Sequence, residues 1–239
     1  MDAVIWHDLE CGSYSQDLAL WLQLARAHGS PILDIGAGTG RVTLPLARAG
    51  HDVVALDLDA TLLGELGLRA AALPVQTVVA DARGFSLPGR SFALCLIPMQ
   101  TIQLLGGAQA RMECLRCAAE HLQPGGRLAI AVAQDVEEFE WHDGEGEPLP
   151  DMVEIDGATY FSQPTAVRRR GGTYVLERIR ETVHASGHRE RQDDRVSLDR
   201  LNAGELREEG IRAGLRALET RHIPPTREHV GSEVVVFGA

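Results

Sequence analysis

A short apolar run, Ile32 to Ile35, passes directly into Gly36-Ala37-Gly38-Thr39-Gly40, and a helical pattern follows from about Arg41 to Arg48. A strand, a glycine-rich turn and a helix in that order leave few architectures open. The glycines lack Cβ, so the turn can be tight and a ligand can lie against the main chain. The helix start beyond it offers N–H donors that have no partner within the helix. The next apolar run, Asp52 to Asp57, ends on a carboxylate that can accept both hydroxyls of a ribose. The unit reads as a site for a nucleoside-bearing ligand.

The rhythm of that unit recurs through the first half of the chain. A helix with Leu18, Trp21, Leu22 and Ala25 on one face spans Tyr14 to Ala27 and stops at Gly29-Ser30-Pro31. Beyond Asp57 the pattern predicts a helix over Leu62 to Ala72 and strands at Val75 to Ala80 and Phe92 to Ile97. The second of these is continuously apolar, as a strand buried on both faces should be. A helix at Ala108 to Leu122 ends at Gln123-Pro124-Gly125-Gly126, before a strand at Arg127 to Val132. Strands alternating with helices predict a parallel sheet, and right-handed crossovers put helices on both of its faces.

After Gln134 the pattern changes. An acidic stretch rich in Gly and Pro reads as a loop. Four segments, Val153 to Ile155, Thr159 to Val167, Thr173 to Val183 and Arg189 to Val196, then read as antiparallel strands. Turns at Asp156-Gly157, Gly171-Gly172 and Ser186-Gly187 would join them. Residues 135–196 thus form an antiparallel β insertion after the fifth strand, within a single domain spanning residues 1–239. A helix from Leu201 to Glu209, closed by Gly210, and strands at Leu215 to His222 and Glu233 to Phe237 complete the chain.

Composition narrows the chemistry. The net charge of −11 disfavours a nucleic-acid partner, which usually meets a basic face. The sequence contains no lysine, so no Schiff-base, P-loop or general-base lysine is available. No apolar run approaches the length that spans a bilayer. The acid-bearing N-terminus does not read as a signal peptide, and a cytoplasmic protein is expected. Cys95 reads as a buried apolar side chain. Cys114 and Cys117 sit inside a helical pattern with no second pair, so no metal site is assigned to them.

The spacing of the glycines separates two ligand classes. A dinucleotide fingerprint is G-x-G-x-x-G, whose third glycine permits close helix–strand packing. Here Gly36 and Gly38 match, but the third position is Arg41, and the glycines instead run 36, 38, 40 behind Asp34. A carboxylate at Asp34 would repel a pyrophosphate but suits a ligand bearing an ammonium and a sulfonium.

With these residues in view, the sequence resembles the class I S-adenosylmethionine-dependent methyltransferases of the small-molecule type. LDIGAGTGR (33–41) resembles their first motif and VVALDLD (53–59) their second, with Asp57 as the ribose acid. VVADAR (78–83) resembles the segment whose acid, Asp81, meets the adenine amino group and whose next N–H, at Ala82, meets the ring. FALCLIPMQTIQLL (92–105) resembles the fourth strand with its loop, and LQPGGRLAI (122–130) the turn into the fifth.

The resemblance implies a three-layer Rossmann-like sandwich with a seven-stranded, mostly parallel sheet and a reversed C-terminal hairpin. It implies S-adenosylmethionine as cofactor and S-adenosylhomocysteine as product, held by Asp34, Gly36, Ala37, Gly38, Arg41, Asp57, Leu58, Asp81, Ala82, Pro98, Met99 and Gln103. Asp59 reads instead as the N-cap of the following helix. The N-terminal SYSQDLALWLQLA and the loop PMQTIQLL are similar to glycine- and amino-sugar-methylating enzymes, in which a tyrosine closes over the cofactor. Tyr14 is the matching catalytic candidate.

The implied reaction is in-line methyl transfer to a nitrogen or oxygen of a small molecule, by a monomer or homodimer. Base-amine, lysine-tetrad and lysine–metal types of methyltransferase lack their residues here. The insertion is expected to cover the substrate, with Trp141, His142, Tyr160, Arg168 and Tyr174 as lining candidates and Arg168-Arg169-Arg170 as a solvated turn. It could alternatively form a dimer surface. A nicotinamide-dependent dehydrogenase and a non-catalytic S-adenosylmethionine-binding protein remain the rival readings.

Overall fold

The computed structural model describes residues 2–133, 136–141, 149–226 and 229–239. Two helices come first, α1 (Asp2–Cys11) and α2 (Leu18–His28). The predicted alternation follows as β1 (Ile32–Ile35), α3 (Thr43–Arg48), β2 (Val53–Asp57), α4 (Ala60–Arg69), β3 (Val75–Val79), β4 (Phe92–Ile97), α5 (Ala108–Glu120) and β5 (Leu122–Ala133). A 3-10 turn at Thr101–Leu104 lies between β4 and α5. The insertion supplies β6 (Phe139–Glu140), β7 (Asp151–Ile155), β8 (Ala158–Arg170), β9 (Thr173–Val183) and β10 (Arg189–Asp199). The chain closes with α6 (Ala203–Arg212), β11 (Arg216–Ile223) and β12 (Ser232–Gly238).

The main sheet has seven strands in the order β11-β12-β5-β4-β1-β2-β3. β3, β2, β1, β4 and β5 are parallel neighbours, and β12 pairs antiparallel with both β5 and β11. β12 is therefore the reversed strand of the hairpin. Side chains alternate across the sheet. Leu33, Ile35, Cys95 and Ile97 join a cluster with Leu115 of α5 and Leu206 of α6, while Ile32, Leu94 and Leu96 join Trp21 of α2 and Leu46 of α3 on the other face. Helices thus cover both faces, which is the expected three-layer sandwich. The chain proceeds from β1 to one side and from β4 to the other, so a crevice opens above the carboxyl ends of these strands, where open α/β sheets bind ligands.

Two expectations about local structure change, and one element is new. Residues 2–11 form a helix that the sequence pattern does not announce. Val4, Ile5 and Trp6 are consecutive and so do not line one helical face; tertiary contacts of Trp6, Asp8 and Glu10, described below, hold the helix. Gly210 does not end α6, which starts at a capping box between Asn202 and Glu205 and runs on to Arg212. A Cβ at Gly210 would overlap the Phe237 ring, so the glycine serves helix–strand contact instead. Arg168, Arg169 and Arg170 are not a turn but the end of β8, where Arg168 pairs with Glu140 and Glu177, and Arg169 with Glu138.

The insertion is a second antiparallel sheet in the order β10-β9-β8-β6, with β7 also on β8. Its end is pinned to α5 and α6. Asp199 accepts hydrogen bonds from Gly107 N at 2.6 Å and from Arg111, whose guanidinium also meets Glu209 at 2.7 Å. Arg111, Asp199 and Glu209 are all buried, so each needs the others.

Candidate cofactor site

Asp34 stands at the centre of the sheet between β2 and β4 and is fully buried. Its Oδ2 accepts a hydrogen bond from Thr43 Oγ1 at 2.6 Å, while its Oδ1 has no partner among the described residues. Burial pushes the carboxyl up to about 6. The Thr43 hydroxyl and the Arg41 guanidinium pull it down, and the Asp57 and Asp17 carboxylates add to the rise. An unpartnered buried carboxylate oxygen is costly, and a cation nearby would relieve the cost.

Asp57 ends β2 one strand away. Its Oδ2 accepts from Gly38 N at 2.8 Å and its Oδ1 from Asp59 N at 2.9 Å. These bonds fix the carboxylate while leaving each oxygen a free lone pair for a ligand hydroxyl. Asp59 caps α4, its carboxylate accepting from Thr61 N at 2.7 Å and Leu62 N at 3.2 Å. Leu58, between the two acids, is 67% exposed, an apolar side chain presented at the mouth of the crevice.

The glycines of the turn all have positive φ, and protein side chains fill the space that a Cβ would need. Thr101 takes it at Gly36, His7 at Gly38, and Leu44 with Leu66 at Gly40. The tightness of this turn therefore serves its own walls. Ala37 is buried within the turn. Across the crevice, Pro98 follows β4 as a buried residue, and Met99 adopts a positive φ of 52°, uncommon for a side chain with Cβ.

Asp81 lies beyond β3, about one-third exposed, and its carboxylate is clasped by the Arg83 guanidinium and N–H. Those bonds lower its carboxyl to about 2. Ala82 is half-buried beside it.

Two assigned contacts have other duties. Arg41 donates to both oxygens of Asp17, at 2.6 and 2.7 Å, and to the Tyr14 carbonyl at 2.8 Å. Asp17 also accepts from Trp21 Nε1 at 2.7 Å. Arg41 thus fastens the N-terminal segment to the turn rather than presenting a free guanidinium to a ligand. Gln103 is buried, donating to the carbonyls of Ala133 and Asp199 at 3.3 and 3.0 Å and accepting from Ala133 N at 2.9 Å. Its amide joins β5 to β10.

Tyr14 is buried where the N-terminal segment meets the start of β12. Its ring lies 5.1 Å from the Arg41 guanidinium carbon and 5.0 Å from the His229 ring. Its hydroxyl is buried beside Ser232 and makes no hydrogen bond of ordinary geometry among the described residues. Burial and the Asp17 carboxylate raise its ionisation above the usual phenol value. The hydroxyl stays protonated at neutral pH and can donate, not abstract.

α1 covers the turn, a role with no signal in the sequence pattern. Asp8 accepts from Thr39 Oγ1 at 2.6 Å and pairs with Arg69 of α4 at 2.5 Å. On its other side, Trp6 meets the Tyr160 ring edge-on at 5.4 Å. Glu10 accepts from Ser162 at 2.9 Å and from Arg180 at 2.7 Å, and pairs with Arg178 at 2.6 Å. Of the expected lining residues, Tyr160 therefore faces α1. Tyr174 lies between the guanidinium groups of Arg169 and Arg200, and Arg168 is held by carboxylates. Trp141 N donates to Thr165 O at 2.9 Å, and His142 lies outside the described residues.

Comparisons with known proteins agree with this arrangement. A family model described as a methyltransferase domain matches residues 32–126, which run from β1 to the turn before the end of β5. The matched residues hold the parallel part of the main sheet, β3-β2-β1-β4, and the start of β5. The chain is 32% identical over 124 residues to a cypemycin N-terminal methyltransferase from a Streptomyces species, covering 52% of this chain and 50% of that protein. The chain spans about half the length of the curated relatives it matches. Among solved structures, CalS10, an amino pentose methyltransferase from Micromonospora echinaspora seen with S-adenosylmethionine bound, superposes with a TM-score of 0.72 at 22% identity, covering 94% of this chain and 92% of that one. The sugar N-methyltransferase KedS8 from a Streptoalloteichus species gives 0.72 at 20% identity, with 98% and 91% covered. The fold shared with these structures therefore extends over the insertion and both N-terminal helices. No helix among the described residues is long and apolar enough to cross a membrane.

Proposed function

We propose that this chain transfers the methyl group of S-adenosylmethionine to a nitrogen of a small molecule. One observation carries the cofactor reading. Within a methyltransferase domain, Asp57 holds its carboxylate at the end of β2 by two backbone N–H bonds and keeps a lone pair on each oxygen for ribose. Asp34 supports it, since its unpartnered, buried oxygen suits a cationic ligand. Leu58 would lie against the adenine, with Asp81 and the Ala82 N–H along its edge, and Pro98 and Met99 would bound the crevice from β4. The nitrogen acceptor rests on the relatives, named for an N-terminal amine, an amino pentose and a sugar nitrogen. Oxygen is the second reading for the acceptor atom.

The cofactor supplies an activated methyl on a good leaving group, so alignment contributes most of the acceleration. Asp57 and Asp34 fix the position from below. Tyr14, protonated and donating, aligns the reactants from above. The insertion, joined to the turn through α1, closes the acceptor side and excludes water. A base is needed only for an acceptor that carries its proton at working pH.

Calorimetric titration of S-adenosylmethionine and S-adenosylhomocysteine into wild type and Asp57→Ala tests the reading, with NAD as control. Micromolar binding of both, weakened at least tenfold in the variant, is expected from the loss of charge-assisted hydrogen bonds. Preference for NAD would favour the dehydrogenase. Tight binding without turnover of any amine would favour a non-catalytic binding protein.

A further inference from the structure

α1 places an imidazole against the glycine turn, and its hydrogen bonding defines which ring nitrogen is free. His7 Nδ1 lies 3.2 Å from Thr39 Oγ1. Thr39 has a single hydroxyl hydrogen, and Asp8 Oδ1, 2.6 Å away, can only accept it. Thr39 therefore turns a lone pair toward His7, and Nδ1 must carry the ring hydrogen. In the neutral ring Nε2 is then a bare acceptor. Arg69 fixes the far end of this relay through Asp8.

The ring edge that carries Nε2 packs against the glycine turn. A Cβ on Gly38 would overlap His7 Nε2, so the ring edge lies against the Gly38 Cα. The N–H of the same Gly38 donates to Asp57 at 2.8 Å. Gly38 therefore touches both acceptors, the Asp57 carboxylate through its N–H and His7 Nε2 through its Cα. Nε2 makes no hydrogen bond among the described residues.

We propose that His7 is a cofactor-binding residue, its Nε2 accepting a hydrogen bond from the ribose that Asp57 holds, and that the Asp8–Thr39 relay sets the tautomer for this task. The inference rests on the S-adenosylmethionine reading above. It makes α1 a functional part of the cofactor site, and it links that site to the insertion, because the same helix meets β8 and β9 through Trp6 and Glu10.

The test uses two probes, S-adenosylhomocysteine and 5′-methylthioadenosine, which share the nucleoside but differ in the amino-acid end. Calorimetry on wild type, His7→Ala and His7→Gln measures affinity, and circular dichroism melting confirms that the variants fold. His7→Ala is expected to weaken both probes by about tenfold, the size of one good hydrogen bond. His7→Gln, whose side-chain oxygen can stand in for Nε2, should recover most of it. Nitrogen-15 NMR of histidine-labelled protein should show hydrogen on Nδ1 in the free protein and an Nε2 resonance that moves when methylthioadenosine binds. Unchanged affinity in His7→Ala, a loss seen only with S-adenosylhomocysteine, or hydrogen on Nε2 would overturn the assignment while leaving the cofactor reading intact. Failure of wild type to bind either probe would overturn both.

Discussion

Asparagine in place of Asp34 is expected to make the cofactor-free protein more stable at pH 7 while weakening its hold on the cofactor. The carboxyl titrates at about 6 in the folded chain against an ordinary value of 3.8. That difference corresponds to about 3 kcal/mol at neutral pH, at about 1.4 kcal/mol for each tenfold change in proton affinity. The sign follows from proton binding. Between the two values the folded state holds the proton and the unfolded state does not, so stability is greatest below pH 4 and is lost as pH rises through about 6. The asparagine side chain is neutral at every pH and escapes that loss. Its amide retains an acceptor for Thr43 but sets N–H donors where Oδ1 now stands alone, at a cost of about 1 kcal/mol. The net gain is about 2 kcal/mol, or roughly 4–8 °C in Tm for a chain of this size. Differential scanning calorimetry without cofactor, from pH 4 to 8, should show the two proteins converging toward pH 4 and separating above it. With saturating S-adenosylhomocysteine the order should shift back toward wild type, because the ligand ammonium favours ionised Asp34. A variant that is no more stable at pH 7, with a gap insensitive to pH, would refute the view that this carboxylate is held at a cost.

Other perturbations test other parts of the site. Arg111→Leu removes the cation shared by buried Asp199 and Glu209, and chemical denaturation should register a loss of about 3 kcal/mol or more. Gly40→Ala puts a methyl against Leu66 at a φ of +97° and should cost more than about 1 kcal/mol in the same assay. Tyr14→Phe is expected to lower kcat several-fold without lowering stability, since its hydroxyl makes no hydrogen bond of ordinary geometry among the described residues of the free protein; unchanged kcat and affinity would remove Tyr14 from the site. Asp17→Asn frees Arg41 from a buried, two-pronged pair and should weaken cofactor binding by loosening the segment that carries Tyr14.

The candidate site was legible wherever its chemistry lies along the chain. Asp34, the glycine turn, Asp57 and the Asp59 cap fall within one strand–turn–helix–strand unit, and local spacing fixes their geometry. Arg41 and Gln103 have internal partners that the local sequence does not show, because those partners are distant. Asp17 lies 24 residues from Arg41, and Asp199 lies 96 from Gln103. Nothing local in a polar side chain says whether it will meet a ligand or a buried backbone group. His7 was invisible for a related reason, since α1 is held by contacts to Thr39, Arg69, Tyr160 and Arg180 rather than by an apolar stripe of its own.

The sequence by itself determined the alternation of strands and helices, the antiparallel insertion, the positions of its turns and the order of the cofactor motifs. Those features follow from periodicity and from residues whose backbone preferences act over a few positions. Tertiary structure alone decided that α1 bridges the glycine turn and the insertion, that Gly210 makes room for Phe237, and that Arg41 and Gln103 serve as internal ties. Each of these depends on which distant group fills the space or satisfies the charge, and only packing brings those groups together.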